Sequence, residues 1–98
     1  MRALKLDEIQ EGTINGVDVE GQHVVIVRIG QDVYALSGFC THEETDLANG
    51  FLVEDRIICP LHLSQFDCKT GSVLNPPAVK PLNVFNVKIE DGWVLVEV

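Results

Sequence analysis

The sequence of 98 residues predicts a single all-β domain, a sandwich-like or small-barrel base that carries a site. Short runs rich in valine and isoleucine alternate with turn residues along the chain. No stretch of ten or more residues keeps a helical period. A hydrophobic content of 46% is enough for a packed core, so a disordered chain is excluded.

Nine strands are predicted from β-branched or alternating apolar runs that are bounded by turn signals. They cover 3–6, 13–19, 22–28, 32–37, 51–54, 56–58, 65–67, 84–90 and 93–98. The pair Asp91 and Gly92 separates the last two runs and is the strongest hairpin signal. Residues 7–10 could form one helical turn. Many short strands with frequent turns are typical of a sandwich or small barrel.

The negative charge of the chain narrows the classes of partner that it can bind. Fifteen acidic residues against seven basic ones give a formal charge of −8. The basic residues are scattered, so binding to nucleic acid or to an anionic membrane surface is not expected. The longest apolar runs, such as 24–27, are too short to span a bilayer. The first residues show no export signal, so the expected location is the cytoplasm.

Two polar loops interrupt the strand pattern, and both contain ligand-type residues. The first, at 37–49, has Cys40 and His42 in a C-x-H pattern, and the second, at 59–64, has Cys59 and His62 in a C-x-x-H pattern. Two facing loops of this kind can place both sulfurs at one end of a site and both imidazoles at the other. That arrangement suits a [2Fe–2S] cluster with two cysteines on one iron and two histidines on the other.

Other interpretations of these four residues remain open at this point. A single zinc ion is one, although structural zinc sites usually pair ligands at wider spacings than C-x-H. Four unrelated polar residues are another, which the two tight pairs disfavour. The third cysteine, Cys68, is interpreted as a structural or partly exposed thiol, and His23 as a surface residue in a strand.

The segment 39–71 resembles Rieske proteins, and the whole chain resembles the small Rieske-type ferredoxins of bacterial aromatic-ring dioxygenase systems. The resemblance is carried by the C-x-H and C-P-L-H patterns and by the downstream pairs Phe66-Asp67 and Thr70-Gly71. It implies a Rieske fold, with a β-sandwich-like base and a cluster-binding subdomain at about 39–74. It also implies one Rieske-type [2Fe–2S] cluster as cofactor.

The same resemblance implies roles for individual residues. Cys40 and Cys59 would hold the inner iron, and His42 and His62 the outer, solvent-facing iron. An electron carrier is implied rather than an enzyme.

Further residues of the second loop are expected to tune the cluster. Pro60 fixes the backbone between two ligands. Ser64 stands where high-potential relatives have a serine that donates to sulfur, whereas Phe66 replaces their tyrosine donor. Fewer donors predict a potential near the low end of the roughly −150 to +300 mV Rieske range. Leu63 stands where many relatives have glycine, and a positive φ there would strain it.

The resemblance also implies partners. These are an NAD(P)H-dependent flavoprotein ferredoxin reductase and a terminal ring-hydroxylating oxygenase, and the carrier itself is expected to be a monomer. An acidic rim beside the first loop is a candidate docking surface, and the stiff segment after the second loop is a further candidate. The residues concerned are Glu43, Glu44, Asp46, Pro76 and Pro77.

Two related functions remain as alternatives. One is the Rieske-like small subunit of a nitrite reductase or a similar oxidoreductase complex, which the intact ligand set disfavours because many of those subunits lack the ligands. The other is a respiratory or arsenite-oxidase-type Rieske subunit. It is disfavoured because Thr45 and Leu61 stand where respiratory Rieske proteins carry a disulfide-bonded pair of cysteines.

Overall fold

The computed structural model describes residues 2–41, 45–61, 63–76, 78 and 80–98. This part of the chain is β structure with two short 3₁₀ helices, at Leu6–Glu8 and Leu47–Asn49, so the all-β prediction is confirmed. Its strands are β1 (Arg2–Lys5), β2 (Ile14–Val19), β3 (Gln22–Ile29), β4 (Asp32–Ser37), β5 (Phe51–Val53), β6 (Arg56–Ile58), β7 (Gln65–Asp67), β8 (Val73–Asn75), β9 (Val84–Glu90) and β10 (Trp93–Glu97). Within these ranges no helix is long and apolar enough to cross a membrane.

The strands form two antiparallel sheets. The larger has six strands in the order β1-β10-β9-β4-β3-β2, and the smaller is the meander β5-β6-β7-β8. All four strands of the smaller sheet lie between β4 and β9 in sequence, which are neighbours in the larger sheet. The smaller sheet is therefore an insertion on a base, as the sequence predicts.

Strand β3 is buried on both faces. Val24 and Ile26 belong to one buried cluster, which includes the inward-facing valines of β10. Val25 and Val27 belong to a second cluster, which includes Phe66 of the smaller sheet. Because successive side chains point to opposite faces of a strand, a continuous apolar run is what such a doubly covered strand requires.

Two tight hairpins fit their turn residues. Asp91 and Gly92 both have positive φ, at 53° and 78°, as a two-residue hairpin turn of type I′ requires, so this hairpin prediction is confirmed. Glu20 and Gly21 repeat the pattern at 50° and 81°. The second hairpin sets the register that places residues 18 and 23 directly opposite each other.

Strand β8 and the second 3₁₀ helix were not expected from the sequence. The strand has only three residues, and its register against β7 shifts between Gln65 and Phe66. It exists because β7 offers a pairing edge, which local sequence does not reveal. The second helix lies inside the loop 37–49, where Asp46 caps it by accepting a hydrogen bond from the backbone N–H of Ala48.

Candidate metal centre

The first predicted ligand loop leaves the end of β4 and is closed by backbone contacts. The N–H of Cys40 donates to the carbonyl oxygen of Thr45 at 2.8 Å. Just outside this bond, Phe39 and Asp46 form an antiparallel bridge. The two ends of the loop are therefore held together. His42 lies between them in sequence and is outside the described residues.

The second loop leaves the end of β6 and is closed in the same way. The N–H of Cys59 donates to the carbonyl oxygen of Ser64 at 2.8 Å, and the N–H of Leu63 donates back to the carbonyl oxygen of Cys59 at 3.1 Å. Pro60 stiffens the start of this loop by fixing its own φ. In both loops the cysteine N–H thus bonds the residue five positions later. His62 is outside the described residues.

The two cysteine side chains enter the same part of the core. Cys40 and Cys59 are exposed by only 1% and 2%, and both belong to the buried cluster between the base and the smaller sheet. Neither is in a disulfide. Among the described residues no group of three His, Cys, Asp or Glu side chains could hold a metal ion, and both predicted histidine ligands are outside these residues.

The piece of chain that contains Ala78 and Lys80, called the third segment below, is hydrogen-bonded to both loops. The backbone N–H of Ala78 donates to the hydroxyl oxygen of Ser64 at 3.1 Å, so the segment is bonded to the second loop. The hydroxyl of Thr41 donates to the carbonyl oxygen of Lys80 at 2.7 Å, so it is bonded to the first loop as well. Three pieces of chain that are distant in sequence therefore brace one another around the buried cysteines.

The structure describes the residues that were predicted to tune the cluster, and their tuning roles stay predictions. Ser64 is fully buried and accepts from Ala78, so its own hydroxyl proton remains for a further acceptor. Phe66 is also fully buried and brings no hydroxyl. Leu63 has a φ of 61°, a left-handed conformation that leucine rarely adopts, and its side chain is 58% exposed.

The predicted docking residues are only partly described. The carboxylate of Asp46 accepts from the N–H of Ala48 at 2.9 Å and lies 2.8 Å from the Nε2 atom of His23. These contacts occupy it within the molecule, and its docking role stays a prediction. Pro76 is exposed, as a docking residue must be. The residues Glu43, Glu44 and Pro77 are outside the described part of the chain.

His23 is the residue that sequence reasoning placed wrongly. Its side chain is only 18% exposed and lies between two carboxylates, with Nδ1 at 2.9 Å from Asp18 and Nε2 at 2.8 Å from Asp46. Partial burial lowers its pKa, but hydrogen bonds and charges from both carboxylates outweigh this and raise the pKa above 6.5. The pairing with Asp18 follows from the register of the β2–β3 hairpin, whereas the contact with Asp46 is tertiary and left no sequence signal.

Cys68 is completely buried, so it is not a partly exposed thiol, and its interpretation as a structural thiol stays a prediction. Burial raises its pKa to about 12, with further contributions from the charges of Asp67 and Asp55. A thiol that stays protonated is a poor metal ligand, because the thiolate is the form that binds metals.

Comparison with known proteins decides the family. Residues 1–86 match the family model described as the Rieske [2Fe-2S] domain. The chain belongs to the Rieske [2Fe–2S] family. Rieske domains bind a [2Fe–2S] cluster through two cysteines and two histidines. Two buried cysteines without disulfide bonds, each at the start of a loop closed by the same hydrogen bond, fit this cofactor. The cofactor prediction is confirmed by the family match.

Relatives of this Rieske domain span almost the whole chain. One is the ferredoxin component of the naphthalene 1,2-dioxygenase/salicylate 5-hydroxylase systems of a Ralstonia species, 37% identical over 94% of this chain and 88% of that protein. A solved ferredoxin of carbazole 1,9a-dioxygenase from Nocardioides aromaticivorans IC177 is 36% identical, with a TM-score of 0.94 over 98% of this chain and 94% of that one. These matches confirm the Rieske fold.

A second structural match shows a relative of this Rieske domain with its partner. It is the ferredoxin in a complex of reduced oxygenase and oxidized ferredoxin of carbazole 1,9a-dioxygenase. The identity is 34% and the TM-score 0.94, over 99% of this chain and 100% of that one.

Proposed function

We propose that this chain carries single electrons from an NAD(P)H-dependent flavoprotein reductase to a terminal ring-hydroxylating dioxygenase. The observation that carries the proposal is the match to ferredoxin components of dioxygenase systems over nearly the whole length of both chains. When bound, the [2Fe–2S] cluster supplies a one-electron redox couple. The chain is an electron-transfer component and not itself a catalyst.

The proposed ligands are Cys40 and Cys59 for one iron and His42 and His62 for the other. Support comes from the burial of both cysteines in one cluster and from the closing bond that their loops share. The spacing puts each histidine inside its closed loop, within three residues of the cysteine. Residues 39–74 are proposed as the cluster-binding subdomain.

The surrounding residues keep this site rigid. Each loop is closed by its own hydrogen bond, and the third segment bonds both loops through Ser64 and Thr41. Pro60 restricts the second loop further. A rigid environment costs little rearrangement when an electron arrives or leaves, which is the requirement of a carrier.

Partner docking is proposed at the same end of the molecule. The relative solved with its oxygenase supports an oxygenase as one partner. The reductase is proposed as the other, since a carrier needs a donor as well as an acceptor. The proposed contacts are Glu43, Glu44, Asp46, Pro76 and Pro77, of which the acidic ones would face a basic patch. A monomer suits alternating contact with two partners, and cysteines that form no disulfide fit the cytoplasm.

The test combines electron paramagnetic resonance of the dithionite-reduced protein with its iron and zinc content. We expect a Rieske signal and about two irons per chain. Cys40→Ser and Cys59→Ser should lose the signal, whereas the matched control Cys68→Ser should keep it. A colourless protein with one zinc would refute the proposal. Stable co-purification with a large catalytic subunit would favour the nitrite reductase alternative.

A further inference from the structure

His23 joins the base sheet to the first ligand loop. It lies on β3, directly opposite Asp18 of β2, and its Nδ1 is 2.9 Å from that carboxylate. Its Nε2 is 2.8 Å from the carboxylate of Asp46, which follows the first loop and bridges Phe39 at the start of the loop. One side chain of the base therefore holds the stem of the loop that contains Cys40.

The imidazole ring of His23 is closely packed by its neighbours. The ring of Phe39 packs against it, with 4.9 Å between the ring centroids. A side chain at Gly38 would collide with Cδ2 of the imidazole, and a Cβ at Gly16 would come within 3.2 Å of its Cε1. The N–H of Gly38 also donates to the carbonyl oxygen of His23 at 2.8 Å. These contacts keep both ring nitrogens aimed at the two carboxylates.

The geometry requires a particular protonation state. A neutral imidazole has one N–H and can donate to only one carboxylate, so both contacts are hydrogen bonds only in the imidazolium form. The charged groups that face the ring are Asp18 from β2 and Asp46 from the loop stem. Among the described residues, Leu47–Asn49 adds no charged side chain, and the segment 38–39 adds only backbone groups and the ring of Phe39.

We infer that protonated His23 is a positioning residue that holds the first ligand loop on the base, and that loss of its proton to solvent loosens the loop around the cluster. The inference rests on the proposed function, since it takes Cys40 and His42 as ligands. The raised pKa of His23 sets the direction of the pH dependence. The stabilisation of the loop by His23 is complete below the unfolded-state pKa of about 6.5. It is lost as the pH rises through the pKa of His23 in the folded protein.

The test measures cluster loss from the holoprotein between about pH 5.5 and 9, by bleaching of the visible absorbance in an iron chelator. We expect the wild-type rate to rise by about tenfold to a hundredfold in one titration step, the factor for losing one charge-assisted hydrogen bond. His23→Gln, which cannot become a cation, should be fast throughout and lack the step. Asp18→Asn should move the step to lower pH. The control Asp32→Asn removes an exposed carboxylate elsewhere and should behave as wild type.

Melting temperatures of the same samples give a second readout that needs no cluster. The wild type should show the same pH step, and His23→Gln should not. A wild type that contains its cluster but shows no step in either readout overturns the inference and leaves the proposed function intact. So does a His23→Gln protein that keeps the step. A wild type without a cluster would instead refute the proposed function, while the melting data would still decide the role of His23. If His23→Gln does not fold, the shift caused by Asp18→Asn decides.

Discussion

The hydroxyl oxygen of Ser64 accepts a hydrogen bond from the backbone N–H of Ala78 at 3.1 Å, in a fully buried position. This contact joins the second ligand loop to the segment that also holds the first loop. The serine oxygen accepts from the third segment, and the hydroxyl proton remains available for a further acceptor. The bond to Ala78 makes Ser64 a structural residue, and its tuning of the cluster is the proposed second role.

Replacing Ser64 by alanine should lower both stability and redox potential. The N–H of Ala78 would lose its partner inside the core, which costs about 1–3 kcal/mol. For a domain of this size that corresponds to a fall of about 4–24 °C in melting temperature. The midpoint should fall as well, since a donor to the cluster is removed. Ser72→Ala, at an exposed serine, is the control and should change neither quantity. An unchanged melting temperature in Ser64→Ala would show that the bond to Ala78 is unimportant.

Leu63→Gly should stabilise the protein despite losing a side chain. Leucine at a φ of 61° is strained by about 1–2 kcal/mol, and its exposed side chain contributes little burial. After the larger unfolded-state entropy of glycine is subtracted, the melting temperature should rise by about 2–5 °C. Leu61→Gly is the matched control, because Leu61 is 51% exposed and has no positive φ. It should lower the melting temperature. Equal falls in both variants would contradict the strain argument.

The midpoint potential should lie near the low end of the roughly −150 to +300 mV Rieske range. Phe66 is completely buried and offers no hydroxyl to the cluster. Phe66→Tyr should raise the midpoint measured by protein-film voltammetry, because a donor to sulfur stabilises the reduced, more negative cluster. Phe51→Tyr adds the same hydroxyl to an exposed ring and should leave the midpoint unchanged. A wild-type midpoint above about +100 mV would rule the low-potential prediction out.

Cys68 should be inert in the native protein and reactive once the protein unfolds. Its pKa is raised to about 12, mainly by burial, so almost no thiolate exists near neutral pH. Iodoacetamide at pH 8.5 should label it only in denaturant, as read by mass spectrometry. A raised folded pKa also means that this thiol's contribution to stability is full below about pH 9 and lost as pH rises toward 12. Cys68→Ala should therefore lose less stability across that range than wild type. Rapid labelling of the folded protein would count against this account.

Charge reversal at Glu43 and Glu44 should slow reduction by the reductase and weaken its salt dependence. Both carboxylates adjoin the proposed ligand His42 in sequence, and complementary charges mainly accelerate encounter. Stopped-flow reduction across a range of ionic strength is the measurement. Glu11→Lys, at an exposed residue just before β2, is the control and should reduce at the wild-type rate. If charge reversal at Glu43 and Glu44 leaves the reduction rate and its salt dependence at the wild-type values, docking does not use this acidic rim.

Local sequence was sufficient to predict most of the fold and to propose the ligand set. Alternation, β-branched residues and turn pairs such as Asp91-Gly92 act over a few residues, so nine of the strands and their hairpins could be predicted. The spacing of Cys40 to His42 and of Cys59 to His62 is likewise a local pattern with a specific chemistry.

Tertiary structure decided the rest, because those features depend on residues far apart in sequence. Strand β8 forms only where β7 offers an edge. His23 meets Asp46 only after the first loop folds back across the base sheet, and Ser64 meets Ala78 only when the third segment closes over the second loop. The sequence by itself determined nine of the ten described strands and the candidate ligands. The fold decided which polar groups brace them, since hydrogen bonds act only at contact distance.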